Sequence, residues 1–431
     1  MSGLKTIYTC CACGAKNLIP ILSLGNIYPS CFVESSNTGV SKAPLDIVLC
    51  NANSGGCGLL QLRHTVDRDL LYRKGYWYRS AINETMKSEL ADIVEKAVQI
   101  RDLYTGDIVL DIGCNDGTML RFYRGKVKRL KLVGFDPAKD LVQYAQVGTT
   151  KIFNDYFNTN NFKKEFGNQK VKIITAISMF YDLDDPNEFI KDIVKVLDKD
   201  GLFIIQMNYL VSMLERNAFD NIVHEHLEYY SLLALENLLK KYRLEVFDIL
   251  LNDVNGGSIR AYIRHTECKS LKVFEGAEER LKRVREYEKN IGLNQRKVYD
   301  EFGLRINKIK DAINDFIKSE TQKNKKVYVY GASTRGNTLL QFFNLNSDLI
   351  VAAAERDPRK YGKKTIGTLI PIISEEEARK NNPDYFLVLP WHFLEAFKKR
   401  ERNYLLKGGK FIVPLPRPRI IAAQGPVQYL V

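Results

Sequence analysis

Histidine is scarce in this chain, with five residues in 431, and tryptophan is scarcer, with two. No apolar run approaches the ~20 residues that a bilayer-spanning helix needs. The opening "MSGLKTIYTCCACG" lacks the basic-then-apolar pattern of a secretory signal, so the reading is a cytoplasmic protein with no membrane association. There is no G-x-G-x-x-G dinucleotide loop and no phosphate-loop lysine followed by Ser or Thr. No repeat of fixed period and no low-complexity segment occurs. An arginine-rich aromatic stripe is also missing, which argues against a base-stacking platform for nucleic acid. The net charge of +13 is spread over several segments, some with acidic residues mixed in, and suits attraction of a small anionic substrate.

Cysteine is unevenly placed. Six of the eight fall in the first 57 residues. Cys10-x2-Cys13 and Cys50-x6-Cys57 are each followed by glycine, Gly14 and Gly58, which lets the backbone turn around sulfur. Such clustering in a cytosolic chain points to metal rather than disulfides. Four thiolates leave no open coordination position, so a Zn2+ held by Cys10, Cys13, Cys50 and Cys57 would be structural. Cys11 and Cys31 are spares.

From residue 106 apolar strands alternate with amphipathic helices: "DIVLDIG", "KLVGFDP", "TKIFNDYF", "VKIITAISM", "GLFIIQMN", "LEVFDILLN" and "SIRAYIRH". The last two, joined by an Asn/Gly turn, predict an antiparallel edge. This alternation implies an α/β fold with ligands outside the carboxyl ends of the strands. The first strand runs into "VLDIGCNDGTML", which supplies Asp111, Gly113, Asn115 and Gly117. The second ends in Asp136, a carboxylate suited to both hydroxyls of a ribose. Together these features resemble the class I S-adenosylmethionine methyltransferases, with a Rossmann-like seven-strand sheet. Residues 272–325 read as charged helices. "VYVYGASTRGNTLL" then opens a C-terminal α/β unit whose glycine turn suits an anion but shows no second ribose carboxylate. The end of the chain reads as an irregular tail.

The only two closely spaced histidines stand in "FDNIVHEHLEYYS", with Glu225 between His224 and His226. A metal reading fails on spacing, because H-E-x-x-H needs histidine where Glu228 stands. With "CGLLQL", "YWYRSAINETM", "LDIGCNDG", "GFDP", "AISMFYDLDDP", "HEHLEYYS", "NGGSIRAY", "VYGASTRGNTLL" and "LPWHF" in succession, the chain resembles the sugar C-methyltransferase family. That resemblance implies three parts: a zinc module (1–72), an S-adenosylmethionine-binding methyltransferase domain (73–268), and a helical connector with a C-terminal α/β substrate domain (269–431). It implies a nucleoside-diphosphate 4-keto-deoxysugar substrate, deprotonated beside the ketone and methylated, commonly at C3. No nucleic-acid or protein partner follows from it.

Glu225 and His226 match the family's catalytic pair. Many members carry a tyrosine where Val223 stands and a histidine where Tyr181 stands, so His226, His224 and Tyr181 are all candidates for the base, with Tyr76 beside them. A neighbouring carboxylate would hold the histidine ring and raise its basicity. Ser80, Ser178 and Met179 join the glycine loop and Asp136 as cofactor residues. Tyr78, Arg260, Arg335, Asn337 and His392 are the substrate candidates. Two other functions stay open: a nucleic-acid methyltransferase with a zinc knuckle, disfavoured because "AISMFYDL" lacks Asn/Asp-Pro-Pro-Tyr, and a non-catalytic cofactor-binding subunit.

Overall fold

The computed structural model describes residues 4–29, 31–34, 39–73, 78–82 and 84–431. Tyr76 lies outside the described residues.

The central sheet has seven strands in the order Leu244–Asn252, Ser258–His265, Leu197–Asn208, Val171–Ile177, Ile108–Ile112, Lys131–Phe135, Lys151–Phe153. Every residue of Ile108–Ile112 is buried, as befits a central parallel strand covered on both faces. The helices between strands follow local sequence signals. Pro186–Val196 starts with proline, and the Asp185 side chain accepts the N–H groups of Asn187 and Glu188. Such a cap contributes about 1 kcal/mol. Phe189, Ile190, Ile193 and Val196 recur at helical spacing and are buried. The Asn/Gly hairpin is antiparallel as expected, but its returning strand Ser258–His265 does not form the edge. It inserts between Leu197–Asn208 and Leu244–Asn252, antiparallel to both.

The C-terminal sheet also has seven strands, Ile372–Ser374, Ala353–Glu355, Val327–Tyr330, Tyr385–Val388, Lys410–Val413, Arg419–Ile421 and Gln428–Tyr429 in that order. The first five are parallel and the last two antiparallel. Part of the expected irregular tail therefore pairs onto the sheet edge. Helices Ala277–Ile291 and Arg296–Gln322 bridge the two sheets in the chain.

The N-terminal strands Leu18–Ile27, Ala43–Cys50 and Leu60–Leu62 form an antiparallel sheet whose fourth strand, Glu228–Tyr229, comes from the chain just after His226. Leu62 N–H donates to the Leu227 carbonyl at 2.8 Å. Phe32–Val33 pairs with Lys364–Thr365 of the C-terminal unit. The cysteine-rich module thus ties both other units together. Among the described residues no helix is long and apolar enough to cross a membrane.

Candidate active site

One cleft of about 890 Å³ runs from the end of strand Ile108–Ile112 to the glycine turn of the C-terminal unit. It begins where the winding of the central sheet reverses, the place where open α/β sheets bind ligands. Asp111, Gly113, Asn115, Asp136, Ser178 and Met179 line this end. Gly113 has φ of 73°, and a Cβ there would lie 2.9 Å from Met179 Cγ. Only glycine lets the loop and Met179 approach so closely. Asn115 and Ser178 hold φ near 50° without being glycine, a strain found at functional turns. Each oxygen of Asp136 accepts one backbone N–H, from Ala138 and from Asn115. Each oxygen keeps one acceptor site, the number two ribose hydroxyls require. Burial pushes Asp136 up to about 6 and Asp111 up to about 8. Ser80 N–H donates to Asn115 Oδ1, and Asn115 Nδ2 donates to the Tyr78 carbonyl, so Tyr78 and Ser80 sit against the loop. Asp155 and Tyr156, which follow the third strand, also line this end and were not foreseen.

The middle of the cleft is formed by Tyr181, Asp182, Glu225 and His226. His226 Nδ1 lies 2.7 Å from the Asn221 carbonyl, which can only accept, so Nδ1 carries the proton and the neutral ring offers Nε2 as a base. Asn208, at the end of the fifth strand, donates to the side chain of the same Asn221 at 2.8 Å. The Tyr181 ring stands 4.4 Å from the His226 ring. The expectation that Glu225 steadies the imidazole is corrected: a backbone carbonyl does so. Burial first, then the charge of Arg335, pushes His226 down to about 3, while burial pushes Glu225 up to about 7. The group poised near neutrality is the glutamate. Glu225 Oε2 and Asp182 Oδ1 are buried and have no hydrogen-bond partner among the described residues.

At the far end, Arg335, His392, Arg356 and Arg400 line the cleft beside the turn before helix Thr334–Phe342. Glu355 stands at the end of the strand next to the first, the place Asp136 holds in the other sheet; the sequence reading passed it over. Its oxygens already accept from Ala332, Arg356 and Asp357 N–H groups and from Lys360 Nζ. All acceptor sites are filled, so Glu355 fixes the turn and has none left for a ribose.

Four candidate residues do not line the cleft. His224, two positions from His226 in irregular chain, points the other way, with Nε2 3.2 Å from the Ala43 carbonyl, and burial pushes it down to about 4. Arg260 is fully buried and donates to Gln206, Asp92 and Glu89 at 2.7–2.8 Å, so its guanidinium is occupied within the fold. Asn337 donates to the Cys31 carbonyl, tying the N-terminal module to the C-terminal unit. Gly117 begins helix Thr118–Phe122, where a Cβ would meet the Ala145 carbonyl at 2.9 Å.

The Sγ atoms of Cys10, Cys13, Cys50 and Cys57 all lie within 4.8 Å of one another, a group that could hold a metal ion. Cys10 and Cys57 are 3.5 Å apart and Cys13 and Cys50 3.4 Å. Cys57 N–H donates to Cys50 Sγ, and a Cβ on Gly56 would fall 2.6 Å from that sulfur. Cys11, outside the cluster, donates to Glu228 Oε1.

Residues 82–249 match a family model described as a methyltransferase domain, and residues 253–416 match the C-methyltransferase C-terminal domain. The C-methyltransferase NovU of Streptomyces niveus is 30% identical over 425 residues, covering 97% of this chain and 98% of NovU. Among solved structures, a chain in the complex between the Haloferax volcanii Trm112 methyltransferase activator and its methyltransferase shares 17% identity over 43% of this chain and 93% of its own, with a TM-score of 0.35. An S-adenosylmethionine-dependent methyltransferase from Clostridium acetobutylicum shares 15% over 41% of this chain and 91% of its own, at 0.32. The chain belongs to the C-methyltransferase family and is an S-adenosylmethionine-dependent methyltransferase.

Proposed function

We propose that the protein deprotonates a nucleoside-diphosphate 4-keto-deoxysugar beside its ketone and methylates the resulting enolate, at C3. The observation that carries this reading is the single cleft joining a ribose-type carboxylate, a neutral histidine with a bare Nε2, and a cationic far end. Its volume of about 890 Å³ stands near the top of the ~300–1,000 Å³ range of ligand pockets, in keeping with two ligands side by side.

S-adenosylmethionine, held by Gly113, Asn115 and Asp136, supplies an electrophilic methyl group. His226 Nε2 takes the proton from the carbon beside the ketone, a role worth ~10²–10⁴-fold in rate. Asn221 and Asn208 keep the ring in the tautomer this needs. Glu225 and Asp182 offer buried oxygens for the sugar hydroxyls, and Glu225 can pass a proton near neutral pH. Tyr181, held protonated by burial, is a wall and donor. The Gly331–Thr334 turn with Arg356 and Arg400 suits the diphosphate.

The four cysteines are read as a structural Zn2+ site. Tetrahedral Zn–S bonds of about 2.3 Å place sulfurs roughly 3.8 Å apart, near the separations within the cluster. Incubation with S-adenosylmethionine and a panel of 4-keto-deoxyhexose nucleotides tests the reading. A product heavier by one CH2, with the new methyl on the carbon beside the ketone, is the expected result. Methylation of oxygen or nitrogen instead, or of RNA in a salt-sensitive manner, would overturn it.

A further inference from the structure

Deprotonation beside a ketone leaves negative charge on the ketone oxygen, and a group must receive it. None of the residues discussed for proton handling is a cation. A cation whose charge acts on both His226 and Tyr181 comes from the other sheet. Arg335 reaches out of helix Thr334–Phe342, and its Nη2 lies 2.5 Å from Asp220 Oδ2. The next residue, Asn221, is the one whose carbonyl holds His226. Two adjacent residues of the catalytic loop thus grip the arginine and the histidine side by side. Arg335 Nη1 donates to the Asn255 carbonyl, so the guanidinium is fixed at two points, and Trp391 Nε1 donates to the same Asp220 Oδ2 and holds that carboxylate in place.

What the fixing leaves over is informative. Arg335 Nε is buried and has no hydrogen-bond partner among the described residues, although its side chain lines the cleft. A buried N–H of a charged group without an acceptor is costly, and a catalytic role is one of the few reasons a native fold retains one. His226 and His392, both in the cleft, each feel the Arg335 charge.

We propose that Arg335 is a catalytic residue: its guanidinium stabilises the enolate oxygen formed when His226 takes the proton. This assignment rests on the reaction proposed above. The C–H bond breaks and its electron pair forms the carbon–carbon double bond. The carbonyl π pair moves onto oxygen beside Arg335, and the proton moves to His226 Nε2. The carbonyl re-forms as the deprotonated α-carbon takes the methyl group of bound S-adenosylmethionine, whose carbon–sulfur bond breaks with its electron pair left on sulfur. The arrangement also makes the C-terminal unit part of the catalytic centre, since the base and the counter-charge come from different sheets.

Loss of one such donor typically costs ~10²–10³-fold in kcat. The test follows solvent deuterium incorporation beside the ketone without S-adenosylmethionine, and methyl transfer with it. Arg335→Gln is expected to slow both by ~10²–10³-fold with S-adenosylmethionine affinity unchanged, Arg335→Lys to slow them less, and added guanidinium to restore part of the rate in Arg335→Ala. Trp391→Phe, which loosens the contact but keeps the charge, is expected to affect KM and thermal stability more than exchange. Exchange by Arg335→Gln at the wild-type rate, or a defect confined to KM, would overturn the assignment while leaving the reaction standing. Failure of the wild-type protein to exchange with any ketosugar would remove the reaction and this assignment with it.

Discussion

Replacing Glu225 by glutamine is expected to stabilise the folded protein at alkaline pH while impairing turnover. Glu225 lines the cleft, and its Oε2 is buried without a hydrogen-bond partner among the described residues. Burial lifts its pKa from 4.5 to about 7. Between these values the folded state keeps a proton that the unfolded chain has lost, so stability is full below about pH 4.5 and falls as pH rises through 7. At about 1.4 kcal/mol per tenfold change in acidity, the rise corresponds to about 3 kcal/mol opposing the fold above pH 7. Glutamine has a similar shape and no charge, so the penalty vanishes. The assay is thermal or urea unfolding of both proteins from about pH 4 to about pH 9. Their stabilities should coincide at the acid end and diverge by up to about 3 kcal/mol at the alkaline end, with the variant ahead. Parallel curves, or a variant weaker throughout, would refute the claim that this carboxyl is held against its own ionisation.

Three further outcomes follow from the geometry. Treatment with a chelator under reducing conditions, which would strip the proposed Zn2+, or Cys57→Ser, should lower thermal stability and turnover together, because strand Leu60–Leu62 holds the chain just after His226; a metal assay with activity measurements checks this. Gly113→Ala should weaken S-adenosylmethionine binding by at least about tenfold in calorimetry, since φ of 73° and the contact with Met179 together cost ~1–3 kcal/mol. Arg260→Met should destabilise by about 1–3 kcal/mol, because Gln206, Glu89 and Asp92 lose a shared donor, while cofactor affinity of the folded fraction holds.

The seven central strands and the glycine loop were legible because they rest on local signals: apolar runs, a helical period, and glycines where a turn demands them. The cysteine cluster was legible from spacing. What escaped depends on contacts distant in sequence. His224 and His226 look equivalent in "HEH", yet only the fold sends one to Ala43 and the other to the cleft. Arg260, just after a glycine turn, read as a substrate candidate, with pairing to a carboxylate the alternative. Glu89 and Asp92, three apart on helix Glu84–Ile100, were the available sign of a buried partner. Asn208 carries no motif, and Asp182 and Asp220, though inside quoted stretches, drew no role there; all three gain meaning only from the strand end and loops that bring them to the cleft or to the residues around His226. Val223 and Tyr181, where the family resemblance implied tyrosine and histidine, drew attention to the base without naming it.

The most direct test is deuterium incorporation from solvent at the carbon beside the ketone of a 4-ketosugar nucleotide, comparing wild type with His226→Gln without S-adenosylmethionine. The wild-type protein should exchange that proton, and the variant should do so ~10²–10⁴-fold more slowly while still binding S-adenosylmethionine. Equal exchange by the two proteins would contradict the assignment of His226 as the base.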